Sequence, residues 1–454
     1  MDNHPSGDGF VRTVLLIGPG ELPDATQRAL QAARARVTRL QHPSDADIHR
    51  ALSEQVESVI VFSRDDAVAL RLALVVENIR PGIPLVVTVD SGIVTAQLKR
   101  AVKNIRVTSM AHIVAPALAA ACLEDGLLWV QRTSEGFTGV RVEDGLPQFA
   151  DVPAPGRRWG NQLLANFGSL IRPFESSARI LTAGLLGFLL ILGLDTVMSS
   201  LVLGMSLIDA FYAVTKVIVT VGPNSVTDQG PDWFKIFSAV SMLAALAFTA
   251  LFTAGVVHRL LDRRLTTIVG SRLVPRKDHV VVVGLGQVGL RLCLLLRELG
   301  VPVVAVEIDP DRYNVYRAKN YGIPVVIGRG ASHFLLKRLS LAHARALAAV
   351  TSREVENIAV AVAALGMQGD LRTVLRAGRG EVINETRSLF SIGVIRDVYR
   401  IGGTLLAAAA LGSNATEALL HDQIVYLITA DGRIEPFEPD VHAYGLRHTE
   451  TSDE

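Results

Sequence analysis

Gly284-Leu285-Gly286-Gln287-Val288-Gly289 follows directly on the apolar run His279-Val280-Val281-Val282-Val283, and Glu307 lies 23 residues beyond the first glycine. That spacing suits a dinucleotide-binding turn between a strand and a helix. Gly284 permits the tight turn, Gly286 lets backbone approach a pyrophosphate, and Gly289 lets the helix close on the strand. Amides at the N-terminus of that helix attract phosphates. Glu307, ending the second apolar run Val303–Val306, would accept hydrogen bonds from an adenosine ribose. A second stretch with chemical potential is Thr220-Val221-Gly222-Pro223-Asn224-Ser225, placed between two long apolar runs and just after the short amphipathic segment Ser206–Val219. Non-helical backbone at membrane depth is tolerated where it lines a water-filled path, and its carbonyls can there replace the hydration shell of a cation.

The elements that would hold the hexapeptide are Ile180–Leu203 and Phe234–Val257. Each is apolar over 24 residues apart from Asp195 in the first, Lys235 in the second and scattered Ser and Thr. A stretch of that length crosses a hydrocarbon core of about 30 Å, and a soluble helix so long is rarely apolar all round. Arg157, Arg158, Arg172 and Arg179 precede the first run; Arg259, Arg263, Arg264 and Arg272 follow the second. The connection between them carries only Lys216 and Lys235 as basic residues. Positive flanks favour the cytoplasm, which places both termini there and the hexapeptide outside, in a multi-pass protein of the cell membrane. Ser206–Val219 is too short to span and reads as a re-entrant helix.

Composition agrees. The chain has 454 residues, 49% of them apolar, with 45 basic and 44 acidic side chains. A balanced charge excludes a nucleic-acid footprint. Cys122 and Cys293 lie in apolar helical patterns and read as core residues rather than a disulfide or metal site. Met1–Phe10 is polar and lacks a signal-peptide pattern.

Beyond the glycine turn the alternation continues. Leu290–Leu299 is helical, Ile323–Ile327 a strand, His333–Leu339 a helix, Ala346–Thr351 a strand, Val355–Leu365 a helix and Thr373–Leu375 a strand, which together make a doubly wound parallel sheet. The N-terminal part repeats this layout in degenerate form. Thr13–Ile17 ends in Gly18-Pro19-Gly20; Ser58–Asp65 mirrors Ala346–Glu354; Pro84–Val89 mirrors the Thr373–Leu375 region; Arg106–Leu123 mirrors Gly393–Leu411. Asp144-Gly145 and Asp431-Gly432 are matching hairpin turns. In the first copy Pro23 replaces the third glycine, Val37–Gln41 ends without an acid, and His42–Asp47 stands where the second copy has Pro310–Gly330. It reads as a structural copy.

Several of these pieces resemble a known family. Asp209-Ala210-Phe211-Tyr212-Ala213-Val214-Thr215 followed by Thr220-Val221-Gly222 is similar to the pore helix and filter of potassium channels. Val283–Gly289, Val306-Glu307-Ile308-Asp309, Val326-Ile327-Gly328 and Ala349-Val350-Thr351 with Asn357 resemble an RCK regulatory domain of the TrkA-N type. The resemblance implies an α-helical membrane pore domain, of two spans plus a re-entrant pore helix, with two flanking α/β Rossmann-like RCK lobes. The expected organisation is a degenerate lobe at 1–155, a linker at 156–179, the pore domain at 180–258, a linker at 259–275, the nucleotide-binding lobe at 276–412, and a C-terminal hairpin and tail at 413–454. It further implies a homotetramer embedded in lipid, with a cytoplasmic ring of eight lobes. The implied ligand is a nucleotide, NAD(H) or ATP/ADP, held by Gly284 to Gly289, Glu307, Ile308, Arg329 and Thr351. The implied permeant species is a monovalent cation, passing Thr220, Val221, Gly222, Pro223 and Asn224.

There are departures. Family members usually carry Gly-Asp-Ala where this chain has Gly328-Arg329-Gly330, so Arg329 would meet a phosphate or the ligand would differ. Some carry Glu at the pore-helix position of Lys216. Pro223-Asn224-Ser225 stands where potassium channels place Tyr-Gly-Asp. Pro223 removes an amide, and Asn224 makes a left-handed backbone harder than glycine does; reduced potassium selectivity is expected. Ser238, Ser241, Ala245, Thr249 and Thr253 are candidate pore-lining residues, with helix packing as the alternative, and Gly255 is a candidate hinge. Two other functions compete with a nucleotide-gated cation channel. One is a non-conducting nucleotide sensor. The other is an anchored oxidoreductase, which would need an acid or base where only His333 and His343 lie near, both of them surface-type positions. The chain is therefore expected not to be an enzyme.

Overall fold

The computed structural model describes residues 12–133, 136–152, 176–218, 230–261, 268–269, 275, 277–378 and 392–437. The chain forms two units: Met1–Arg157 together with Ile268–Glu454, and Arg158–Thr267.

In the first unit, strands of branched aliphatic residues alternate with amphipathic helices. Strands β1 (Thr13–Ile17), β2 (Arg36–Leu40), β3 (Ser58–Val61), β4 (Leu85–Thr88) and β5 (Ile105–Thr108) form a parallel sheet of order β2-β1-β3-β4-β5. Helices α1 (Glu21–Ala32), α2 (Asp45–Leu52), α3 (Asp66–Ile79), α4 (Gly92–Ala101) and α5 (Met110–Leu123) connect and follow them. Ser44 starts α2 with a capping box to Asp47, which satisfies two orphan amides at once. An antiparallel sheet of β6 (Leu127–Arg132), β7 (Phe137–Glu143) and β8 (Leu146–Asp151) ends this half, and Asp144-Gly145 takes the left-handed backbone of the hairpin turn.

The second unit consists of α6 (Ser176–Leu203), α7 (Leu207–Ile218) and α8 (Asp232–Leu261). Ala183–Leu203 and Asp232–Ala254 are long and apolar enough to cross a membrane, and only 17% of each span is buried. A core helix of a soluble fold would be mostly covered; here Leu186, Leu190, Leu201, Leu243 and Leu246 are open to the surroundings. Helices α6 and α8 touch backbone to backbone. A Cβ on Gly184 would lie 2.6 Å from the Phe252 amide nitrogen, and one on Gly187 would enter the Phe248 ring. Continuing that antiparallel register brings Asp195 level with Ser238 and Ser241. All three are buried, as are Thr196 and Ser199. Ser206 caps α7, its hydroxyl accepting from the Asp209 amide at 3.2 Å.

That contact revises one expectation. Ser238, Ser241 and Ala245 fall on the stripe of α8 that packs on α6 and are buried within the single chain, so they are packing residues. The close approach at Gly184 and Gly187 selects small side chains on the facing helix. Thr249 and Thr253 are exposed, their hydroxyls donating to Ala245 O and Thr249 O at 2.8 and 2.9 Å. The expected filter residues Thr220, Val221, Gly222, Pro223 and Asn224 lie outside the described residues.

The chain re-enters the first unit as β9 (Ile268–Val269). Its second half then runs β10 (His279–Val283), α9 (Gln287–Glu298), β11 (Val303–Glu307), α10 (Tyr313–Asn320), β12 (Val325–Ile327), α11 (His333–Arg338), β13 (Ala344–Ala349), α12 (Glu354–Met367), β14 (Arg372–Ala377), β15 (Val394–Asp397) and α13 (Val398–Ala410). The sheet order is β15-β14-β13-β10-β11-β12-β9, parallel except for β9. Among the described residues the first half repeats this order without counterparts to α10, β12 and β9, and its sheet ends at β2. A second antiparallel sheet, β16 (Ala415–His421), β17 (Ile424–Thr429) and β18 (Ile434–Pro436), closes this half.

The two halves share one core. It includes Leu16, Leu30, Val114 and Leu118 from the first half and Leu292, Val350, Leu405 and Ala407 from the second. Helix α1 packs on α13, and α5 on α9. A Cβ on Gly403 would lie 2.8 Å from the backbone at Ala25 and Thr26, and one on Gly402 would lie 2.7 Å from Met110 Sδ, which accounts for two glycines inside an alanine-rich helix. The Arg372 guanidinium donates to both Asp125 carboxylate oxygens at 2.8 and 2.9 Å. Cys122 and Cys293 are fully buried in this core. Burial pushes the Cys122 thiol up to about 12 and raises that of Cys293 as well, so neither is a nucleophile at neutral pH.

Candidate nucleotide site

At the carboxyl end of β10 the chain turns sharply into α9. Gly284 has φ +97°, and a Cβ there would lie 2.8–3.0 Å from Thr351. A Cβ on Gly289 would lie 1.9 Å from Gly284 O. These two glycines are demanded by packing. Gly286 differs: it has φ −72°, and a Cβ on it would meet nothing within 4 Å. No side chain caps α9 at Gly286, so no side-chain acceptor there occupies the first-turn amides. An uncapped helix N-terminus with room above a glycine suits a pyrophosphate.

Glu307 ends β11 beside this turn with its side chain only 3% exposed. It is held by four donors. Leu285 N and Arg312 Nη1 donate to Oε2 at 2.8 and 3.0 Å. Ile308 N and Asp309 N donate to Oε1 at 2.9 and 3.3 Å. Gly328 N donates to the Glu307 carbonyl at 2.8 Å, tying the turn after β12 to the same strand end. Asn357 on α12 fixes the far wall: its Oδ1 accepts from Thr351 N and Oγ1 at 2.9 and 2.8 Å, and its Nδ2 donates to Arg376 O at 2.9 Å.

The structure thus gathers Gly284, Leu285, Gly286, Gln287, Val288, Gly289, Glu307, Ile308, Arg329 and Thr351 around the carboxyl ends of β10, β11, β12 and β13. Leu285 and Val288 bury their side chains and offer only backbone. Gln287 and Arg329 are exposed, and no hydrogen bond or ion pair among the described residues holds the Arg329 side chain. Thr351 is committed to Asn357 and to the wall beside Gly284. Arg312, at the N-cap of α10, has no counterpart among the expected site residues. Its signal was faint, one arginine five positions after the acid.

The equivalent turn of the first half is built differently. A Cβ on Gly18 would lie 2.3 Å from Phe62 O. Glu21 and Asp24 stand in the first turn of α1, and Asp24 is paired with Arg39.

Comparison with known proteins agrees with this geometry. The TrkA-N domain family matches residues 280–394. Potassium channel protein 1 of Methanocaldococcus jannaschii is 22% identical over 243 residues, spanning 52% of this chain and 71% of that protein. The voltage-gated potassium channel Kch of Escherichia coli strain K12 is 21% identical over 231 residues, which span 50% of this chain and 54% of Kch. Among solved structures, the GsuK RCK domain aligns with a TM-score of 0.50 at 15% identity, covering 90% of this chain and 79% of that chain; this likeness is one of fold. With the glycine turn, the doubly wound sheet and two helices long enough to cross a membrane, these matches make the chain a potassium-channel-like protein carrying an RCK domain of the TrkA-N type.

Proposed function

We propose that the protein is a ligand-gated cation channel whose opening is controlled by a nucleotide bound at the β10–α9 turn. One observation carries this reading: an uncapped helix end above the open Gly286, beside the buried Glu307, in a chain that also has two membrane-length helices. The site binds without turnover; its polar groups hold phosphate and sugar and offer no acid or base to a reacting atom. Its ligand is an adenine nucleotide, NAD(H) or ATP/ADP. Four chains surround the pore in the cell membrane, with α7 as the pore helix, both termini cytoplasmic and the fused halves forming the ring. The first half serves as a structural lobe. The link from α8 into β9 carries the ligand's effect to the pore. A ligand shifts that equilibrium only by its differential affinity for the two states.

The test is purified full-length protein in planar bilayers with NAD, NADH, ATP or ADP on the side of the RCK domain. Nucleotide-dependent current with a weak potassium-over-sodium reversal potential is expected. A strong potassium reversal potential would overturn the selectivity part. Pro223-Asn224-Ser225 favours a second reading, a non-conducting nucleotide sensor. Nucleotide binding without current under any condition would establish that reading instead.

A further inference from the structure

Glu307 has no acceptor position left. A carboxylate offers about four lone-pair sites, and all four are taken by Leu285 N, Ile308 N, Asp309 N and Arg312. Ribose hydroxyls are donors toward such an acid, so they need one of these positions. Three of the donors are backbone amides in the glycine turn and at the end of β11, and they cannot leave without unfolding the turn. The fourth is a side chain on a flexible stem, half exposed at the rim. We propose that Arg312 is a displaceable cover on the ribose-recognising acid, and that a nucleotide binds by exchanging its ribose diol for the Arg312 guanidinium on Glu307.

This inference rests on the reading of the turn as a nucleotide site and adds a selectivity device to it. Arg312 competes with every ligand that uses Glu307. The cover therefore weakens nucleotides with free 2′- and 3′-hydroxyls, and it is indifferent to those without them.

The experiment is titration calorimetry on the full-length protein in detergent, with ADP and with 2′,3′-dideoxy-ADP. The versions compared are the parent protein, Arg312→Ala, Arg312→Lys and Glu307→Gln. Loss of a partly exposed ion pair corresponds to a tightening of about fivefold. Arg312→Ala is expected to tighten ADP by that factor and leave the dideoxy nucleotide unchanged. Arg312→Lys should return ADP affinity toward the parent value. Glu307→Gln should erase the difference between the two nucleotides. Equal or weaker ADP binding by Arg312→Ala, with unchanged melting in the absence of ligand, overturns the exchange. If the parent binds ADP and only the tightening fails, the site reading survives and this inference falls. If neither the parent nor Arg312→Ala binds ADP, both fall.

Discussion

Gly286→Val separates binding from folding at the glycine turn. The backbone at Gly286, with φ −72° and ψ −169°, is one any L-residue adopts, and a Cβ there meets no atom within 4 Å. The substitution forfeits only glycine's modest N-cap advantage, so stability should fall by less than about 1 kcal/mol. A pyrophosphate, in contrast, must sit where the isopropyl group would project. Losing its close approach to the helix amides removes charge-assisted hydrogen bonds worth about 1.5–3 kcal/mol. At about 1.4 kcal/mol per decade, affinity falls roughly 10- to 100-fold. Gly289→Ala is the contrasting variant. Its Cβ would lie 1.9 Å from Gly284 O, so the turn must open, at a cost of about 1–3 kcal/mol or more. Thermal melting and ADP titration on the full-length protein give both quantities. Near-parental melting with lost binding is expected for Gly286→Val, and a lowered melting temperature for Gly289→Ala. Intact ADP binding by Gly286→Val would refute the assignment of that open space to the ligand.

Other substitutions probe the frame. Burial pushes Glu417 up to about 7 from 4.5, against the opposing pull of Trp129, Arg291 and Arg106. The folded state then holds this proton more tightly than the unfolded one, so the stability contributed by Glu417 is fully present below pH 4.5 and is lost as pH rises through about 7, by up to about 3 kcal/mol. Glu417→Gln should flatten that slope in denaturant titrations, and a slope unchanged by the substitution would remove Glu417 as its source. Gly403→Val should separate α1 from α13 and lower stability by several kcal/mol, about as an overpacked core site does; unchanged melting would deny the close contact. Cys122 and Cys293 should resist iodoacetamide at pH 8 until the protein unfolds, as read by mass spectrometry, and rapid labelling of the native protein would contradict their burial.

The sequence made the strand–turn–helix of the glycine motif legible because three glycines at fixed spacing have few other uses. The repeat was legible too, since the Asp-Gly turns and apolar strands recur in order. The distinction between Gly286 and its neighbours was not, because room for a ligand and tight packing both call for glycine. The state of Glu307 was hidden for a similar reason. Its three backbone donors leave no trace in side-chain chemistry, and Arg312 reaches it only through the bend between β11 and α10. Ser238, Ser241 and Ala245 were ambiguous because small residues serve both a pore wall and a helix contact; Gly184 and Gly187 on the facing helix decide for contact. Strand β9 pairs over two residues, too short to produce a period.

The shared core of the two halves limits how they can move against each other. Leu16, Leu30 and Leu118 are packed with Leu292, Leu405 and Ala407 in one continuous interior, and α1 meets α13 at backbone distance through Gly403. Sliding one half against the other would open voids throughout that interior, which close-packed cores resist. The two halves of this unit are therefore one mechanical body, and a displacement that starts in either half is carried by both.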